Sequence, residues 1–322
     1  MEPIVCIMMA TYNGENYLGT QIQSIINQTY RHWKLVIQDD GSTDNTMEIV
    51  RQFNDDRIEY RNTPEKKHGA YYNFHSIANQ EKKKEKCYDY YMFCDQDDIW
   101  DQDKIEKMLK VIAKEDNSIP VFCYGDMRII NKEGETIVNS ICNVQGLRYI
   151  NNESLFFSHI IYGCNTIMNK EAFFSVPYIP LDKNGIDILS HDNLYAKFAG
   201  LRGKVIFYNE TTMGYRRHDN NVTLKQEYGY KIGRIRRRIM KLNDLASDHA
   251  RIYNQSLLAL EVYGQKYGQT NQTMKIEKAI RNGGVSASLF ILFHRIRWGN
   301  YIKNISHVVI MILGLYKKYI LY

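Results

Sequence analysis

The chain lacks the marks of a secreted, membrane-spanning or nucleic-acid-coating protein. Its six cysteines, Cys6, Cys87, Cys94, Cys123, Cys142 and Cys164, form no CxxC pair and no metal-ligand spacing. Four of them lie inside apolar runs, so they read as reduced, buried small side chains and not as a disulfide or zinc framework. No signal peptide is expected, because Glu2 stands where a basic n-region would be and the apolar run 4–10 stops at Tyr12-Asn13-Gly14. No stretch reaches the roughly 20 apolar residues that a bilayer-crossing helix needs. Internal repeats and low-complexity tracts are absent. A net charge of +6 over 322 residues is mild, and the excess is localised, which argues against a dedicated nucleic-acid binder. These absences leave a cytosolic chain with room for one large domain and an appendage, or for two domains.

What is present is an alternation. Ile4-Val5-Cys6-Ile7-Met8-Met9-Ala10 is a continuous apolar run, the mark of a strand covered on both faces. Thr11-Tyr12-Asn13-Gly14 breaks it, and Leu18, Ile22, Ile25 and Ile26 then share one helical face. Trp33-Lys34-Leu35-Val36-Ile37 predicts a second strand, ending at Asp39-Asp40-Gly41-Ser42. Ser42 or Thr43 is placed to cap a helix that turns Ile49, Val50 and Phe53 inward. Arg57-Ile58-Glu59-Tyr60 predicts a short third strand, residues 69–79 a helix, and the lysines of 82–86 a solvated loop. After a fourth strand, Ile105, Met108, Leu109 and Ile112 mark another inward helix face. Four such alternations predict an α/β fold with a mostly parallel sheet and helices on both faces.

The fourth strand, Tyr90-Tyr91-Met92-Phe93-Cys94, runs straight into Asp95-Gln96-Asp97-Asp98-Ile99-Trp100. Ligands of open α/β sheets bind outside the carboxyl ends of the strands, where this run places its acids. Asp95 and Asp97 are two apart, so extended backbone points both to one side. Two such carboxylates repel unless a cation lies between them, and an oxygen-only set suits Mg²⁺ or Mn²⁺. Asp98 or Asp101 could instead cap the helix over 103–112, but capping accounts for one acid and not for three.

The runs Ala10-Thr11-Tyr12-Asn13-Gly14-Glu15, Gln28-Thr29-Tyr30, Asp39-Asp40-Gly41-Ser42-Thr43-Asp44 and Asp95-Gln96-Asp97-Asp98-Ile99-Trp100 follow one another in that order. As a set they resemble family-2 glycosyltransferases of the GT-A fold, closest in character to bacterial rhamnosyltransferase-like members that build surface polysaccharides. The resemblance implies that Asp40 accepts a hydrogen bond from the imide of uracil or thymine, with Ala10, Thr11 and Tyr12 flanking the base. It puts Asp95 on the ribose or on metal-bound water, and Asp97 as the main ligand of Mg²⁺ or Mn²⁺ at the donor diphosphate. Glu15 either contacts the ribose or only begins its helix. Members often carry proline after the Trp of the last run, where this chain has Asp101-Gln102. That changes the start of a helix and leaves the acids intact.

Further along, Val121-Phe122-Cys123-Tyr124 predicts a strand with Asp126 just beyond it. Tyr162-Gly163-Cys164-Asn165-Thr166-Ile167-Met168 predicts another, whose glycine allows close backbone approach to a ligand. Residues 177–185 form a breaker-rich loop, read as an acceptor lip. Ser190-His191-Asp192-Asn193 opens a helix, where an acid ordinarily caps. The resemblance gives Asp192 a second role, the catalytic base that an inverting transfer needs opposite the leaving nucleotide. In Tyr215-Arg216-Arg217-His218 it implies that Arg216, or less directly Arg217, holds the diphosphate, and that His218 is a metal ligand or a phosphate donor.

The last third differs in character. Ile232, Ile235, Ile239, Leu242, Ala246, Tyr253 and Leu260 keep near-helical spacing, while Arg234, Arg236, Arg237, Arg238 and Lys241 crowd the opposite face. The apolar run 289–293 precedes His294, Arg295 and Arg297, and the run 308–313 precedes Lys317 and Lys318, with Tyr316, Tyr319 and Tyr322 as interfacial aromatics. A basic amphipathic region on an anionic membrane surface, and a helical homo-oligomer interface, both fit.

The combined expectation is a GT-A catalytic domain over 1–224 and a helical, basic C-terminal extension over 225–322. The enzyme would be metal-dependent and inverting, peripheral on the inner face of the cell membrane. Its donor would be a dTDP- or UDP-sugar, dTDP-rhamnose among them, and its acceptor a glycan or lipid-linked oligosaccharide. Nucleic acid is not an expected partner. A nucleotidyltransferase is the rival enzyme, but 11–15 carries no Lys or Arg; a membrane scaffold without catalysis is the rival of another class.

Overall fold

The computed structural model describes residues 2–84, 88–146, 151–159, 161–218, 242–299 and 301–322. In chain order its elements are β1 (Val5–Thr11), α1 (Leu18–Ile26), β2 (Trp33–Asp39), α2 (Thr46–Arg51), β3 (Ile58–Asn62), α3 (Ala70–Lys83), β4 (Tyr90–Cys94), β5 (Ile99–Trp100), α4 (Lys104–Ile112), β6 (Val121–Ile130), β7 (Thr136–Val138), α5 (Ile141–Gln145), α6 (Ser154–Phe157), a 3₁₀ turn (Gly163–Asn165), β8 (Thr166–Asn169), α7 (Lys170–Ser175), α8 (His191–Arg202) and β9 (Lys204–Arg216). They continue with α9 (Leu242–Tyr267), α10 (Asn271–Asn282), α11 (Gly284–Phe293), α12 (Tyr301–Leu313) and a 3₁₀ turn (Leu315–Tyr319). The chain packs as two units, Met1–Ile141 with Ile161–Thr223, and Cys142–Ile160 with Leu224–Tyr322.

The first unit is an α/β sheet of order β3-β2-β1-β4-β8-β6-β9-β5, with β7 on β6. The half β3-β2-β1-β4 is parallel throughout, as the alternation predicts. Beyond β4 the direction reverses at β8, while β6 and β9 pair parallel again. The apolar runs of β1, β2 and β4 are buried, which is why they read without polar breaks. Leu18, Ile22 and Ile25 of α1 and Ile105, Met108, Leu109 and Ile112 of α4 face inward as their spacing requires. Five of the six cysteines, all but Cys87, lie among the described residues as buried thiols outside any disulfide.

Several local expectations shift. The lysine run does not begin as a loop, because α3 continues to Lys83. Buried Glu81 anchors that turn by pairing with Arg61 and Lys84, and Lys82 Nζ donates to the Tyr195 hydroxyl at 2.7 Å. Neither Ser42 nor Thr43 caps α2; Asp44 Oδ1 instead accepts from the Thr46 N–H at 3.0 Å. Asp101 does not cap α4, since its carboxylate is held by both terminal nitrogens of Arg128. The stretch around Gly163 is not strand from the start: a 3₁₀ turn precedes β8. The arginine-rich stretch 234–241 lies outside the described residues.

The second unit is helical. His249 and Tyr253 of α9, Trp298 ahead of α12 and His307 within it form its aromatic centre, with His249 stacked on Trp298 at 3.8 Å and the Tyr253 hydroxyl 2.6 Å from His307 Nε2. Thr270 caps α10 through a reciprocal bond with Thr273.

Candidate active site

Three parallel strands deliver polar groups to one rim. Thr11 stands level with Asp39, and Met9 with Cys94, so the segments that follow β1, β2 and β4 emerge side by side. Thr11 Oγ1 donates to Asp39 Oδ1 at 2.9 Å. Asp39 Oδ2 accepts from the N–H groups of Gly41 (3.0 Å) and Ser42 (2.7 Å), a turn that needs φ of +85° at Gly41. Asp39 therefore builds the turn, and Asp40 is the acid that the turn presents. Asp40 donates its N–H to the Thr11 carbonyl at 2.9 Å. Its Oδ2 accepts from the Gly69 N–H at 2.7 Å, and Oδ1 lies 3.0 Å from His68 Nδ1. Glu15 bridges turns: its Oε2 accepts from the N–H (3.1 Å) and the side-chain amide (2.8 Å) of Asn45.

Gln96 ties the β1 turn to the acid run. Its Oε1 accepts from the Tyr12 N–H and its Nε2 donates to the Tyr12 carbonyl, both at 2.9 Å. Gly14 permits this, since a Cβ there would lie 2.4 Å from Gln96 Oε1. The Tyr12 side chain is left 55% exposed, a flat surface at the mouth of the rim, and Ala10 is half-buried behind it.

The acids after β4 divide by depth. Asp98 is fully buried, its Oδ1 accepting from the Arg216 N–H at 3.1 Å, and burial followed by the charges of Asp97 and Asp95 pushes its carboxyl well above the usual range. Asp95 is pushed up to about 7, first by burial and then by the charges of Asp97 and of Asp192. That last contribution brings the start of α8 into the field of the acid run. Asp97 Oδ2 lies 2.6 Å from His218 Nε2, and the His218 ring packs on Tyr17 at 4.9 Å. Arg216 is buried, with Nε donating to the Asp97 carbonyl (2.8 Å) and one terminal nitrogen to the carbonyls of Asn131 and Lys132 (3.2 and 2.7 Å). It clasps the acid loop from behind.

Asp95, Asp98 and Cys164 offer ligand atoms within 4.8 Å of one another. Burial, then the charge of Asp98, raises the Cys164 thiol well above its usual range, so it stays protonated and is a poor ligand for a hard cation. The carboxylates are the part that suits a divalent ion: besides burial, Asp98 is raised by the charges of Asp97 and Asp95, and Asp95 by those of Asp97 and Asp192, a repulsion that a cation relieves. Lys104 supports them from within. It is buried, donates to the Cys164 carbonyl at 2.7 Å, lies over the Trp100 ring at 4.2 Å, and is lowered to about 8 by burial.

Asp192 sits in the first turn of α8, almost wholly buried. Its Oδ1 accepts from the Ser190 hydroxyl and from the Asn193 N–H and side-chain amide (2.7 and 2.9 Å). Gly163 packs directly on this turn: a Cβ there would lie 2.6 Å from His191 Nε2 and 3.3 Å from Asp192 Cβ. The His191 ring is stacked on Phe74 at 3.9 Å, and burial lowers it to about 4, so it is neutral.

The expected residues thus fall into two connected groups. Thr11, Tyr12, Glu15 and Asp40 share the β1–β2 turns; Asp95, Asp97, Arg216 and His218 share the loop after β4; the charge of Asp192 reaches the second group, and Gln96 joins the two. Gln96, Gly163, His191 and Lys104 are structural members that sequence reasoning did not single out as such. Only Gly163 carried a signal, as a glycine inside an apolar run.

The family model for glycosyl transferase family 2 matches residues 6–174. The chain is 29% identical over 266 residues to the dTDP-rhamnosyl transferase RfbG of Shigella flexneri, covering 77% of this chain and 87% of that protein. It is 31% identical over 179 residues to the UDP-Glc:alpha-D-GlcNAc-diphosphoundecaprenol beta-1,3-glucosyltransferase WfgD of Escherichia coli, covering 55% of this chain and 65% of that protein. Among solved structures it is similar to S. aureus TarS 1–349 in complex with UDP-GlcNAc, with a TM-score of 0.50 at 12% identity, covering 98% of this chain and 90% of that one. That likeness concerns the fold, which is the GT-A arrangement of sheet and helices.

Proposed function

The chain belongs to glycosyl transferase family 2 and is a glycosyltransferase, and from that premise we propose a metal-dependent, inverting transfer from a nucleoside-diphosphate sugar to a hydroxyl of a growing bacterial surface glycan. A dTDP- or UDP-linked donor, dTDP-rhamnose among them, is favoured by what the Shigella and E. coli relatives are named for, and the E. coli name supports a lipid-linked acceptor. The observation that carries the reading is the field at Asp95, where the charges of Asp97 and Asp192 meet.

In this reading Asp40 accepts from the imide N–H of the base while the exposed ring of Tyr12 covers one of its faces. Asp95 and Asp97 would hold Mg²⁺ or Mn²⁺, and such an ion would supply positive charge to offset that of the departing diphosphate. His218 steadies Asp97, and Arg216 fixes the same loop while adding positive charge behind it. Asp192 takes the proton of the acceptor hydroxyl as its oxygen attacks the anomeric carbon. The bond from that carbon to the phosphate oxygen breaks, and the nucleoside diphosphate leaves from the opposite face. The buried, multiply hydrogen-bonded setting of Asp192 supports this by fixing the carboxylate before the acceptor arrives.

The test is calorimetric titration of UDP and dTDP with Mn²⁺, with Mg²⁺ and with EDTA, followed by a nucleotide-sugar panel scored for released diphosphate nucleotide. Binding that requires the metal and is lost in Asp97→Asn supports the reading. Nucleotide binding indifferent to EDTA overturns the metal role, and no binding of either nucleotide overturns the donor class.

A further inference from the structure

We infer that α11 and α12 form a docking surface that lies on an anionic lipid bilayer. Each helix carries apolar side chains on both its inner and its outer side. Inward, α11 buries Ala287, Ser288 and Ile291, and α12 buries His307, Ile310 and Met311. Outward, α11 exposes Val285, Leu289, Leu292 and Phe293, a single face at helical spacing, with Phe293 84% exposed. Tyr301, Ile305, Val309, Ile312 and Leu313 do the same on α12. These are large side chains set in water in two rows on neighbouring helices, where a soluble surface normally scatters them singly.

The charge around the rows selects the occupant. Residues 278–322 contain no Asp or Glu and seven Lys or Arg. Exposed Arg295 and Arg297 follow the α11 row, and exposed Lys317 and Lys318 follow the α12 row. A second copy of the chain docked through a two-fold contact would set this predominantly basic rim against itself, like charge on like; Glu153, 3.9 Å from His294, is mostly buried and does not reverse that balance. A layer of anionic headgroups above a hydrocarbon boundary complements both features at once, the cations in the headgroups and the apolar rows just beneath. No helix among the described residues is long and apolar enough to cross a membrane, so the helices lie on the surface and do not span it. This deepens, and for its purpose rests on, the lipid-linked acceptor proposed above.

The experiment is sedimentation of the full chain with phosphatidylcholine vesicles, with and without phosphatidylglycerol, beside the triple variant Leu289→Ser, Leu292→Ser, Phe293→Ser. The expected result is phosphatidylglycerol-dependent binding that high salt weakens and that the variant loses by on the order of a hundredfold. Wild-type protein that ignores anionic vesicles overturns the inference, as does a variant that binds as tightly as wild type. A wild-type dimer that the variant converts to monomer, with no vesicle binding, overturns it in favour of a second copy. No donor or acceptor is present in this assay. Its failure therefore leaves the transferase reading untouched, and loss of metal-dependent nucleotide binding leaves this surface untouched.

Discussion

Adding one methyl group at Gly163 tests the link between the turn before β8 and the start of α8. The new Cβ would stand 2.6 Å from His191 Nε2 and 3.3 Å from Asp192 Cβ. A contact of that first kind cannot persist, so something must move. The imidazole has little room, stacked on Phe74 at 3.9 Å and meeting the edge of Phe93 at 4.5 Å. Overpacking of this sort costs about 1–3 kcal/mol. For a unit of this size, each kcal/mol lowers the melting temperature by about 2–4 °C, so Gly163→Ala should melt roughly 2–12 °C lower. The first turn of α8 carries Asp192, and on the role proposed for it a displacement of about 1 Å there should reduce turnover by about a hundredfold with nucleotide affinity unchanged. Denaturant unfolding of Gly163→Ala, His191→Ala and the double variant separates this contact from a general loss of packing. Removing the ring opens the space the methyl needs, so the double variant should be more stable than the sum of the single effects by about 0.5–3 kcal/mol. Strict additivity would refute the reasoning, as would a Gly163→Ala protein with wild-type melting and turnover.

Asp192→Asn keeps the shape of the carboxylate and removes its basicity; transfer should fall by about 10²–10⁴ with nucleotide affinity unchanged, and equal turnover removes Asp192 from the chemistry. The helical unit should be acid-sensitive. Burial holds His249 down at about 3 and His307 well below its usual value, so both fold as neutral rings. The unfolded chain takes up protons below about 6.5, which the folded chain does not. Stability is therefore full above that pH and is lost as pH falls toward about 3, by about 1.4 kcal/mol at pH 5.5 from His249 alone. Melting curves between neutrality and pH 5 check this, and a melting temperature that does not fall contradicts it.

Much of the first unit's fold was legible because its signals are local. The strands β1, β2 and β4 are unbroken apolar runs, and each is followed at once by the polar residues of the rim. The roles of neighbouring acids were not legible. Asp39 and Asp40 are adjacent and chemically identical, and only the fold shows that Asp39 builds the turn through Thr11 and Gly41 while the buried Asp40 reaches across to Gly69 and His68. Gln96 lies between two carboxylates that draw the attention, and its partner is 84 positions away. At Gly163 the close approach was readable, but what approaches is His191, which comes 28 positions later and meets it only in the fold. The allegiance of 142–160 to the helical unit was likewise invisible, because the contacts that fix it, such as Ser256 Oγ donating to the Phe156 carbonyl at 2.8 Å, span 100 positions.

The clasp at Gln96 grips the peptide of Tyr12 on both its donor and its acceptor side and leaves the ring alone. The backbone path at position 12 is thereby insulated from the identity of its side chain. A descendant could exchange that ring for another without disturbing the turn, the strand or the acids beyond it. On the function proposed above, the scaffold separates the part of the rim that must stay rigid from the part that would be retuned to a new donor.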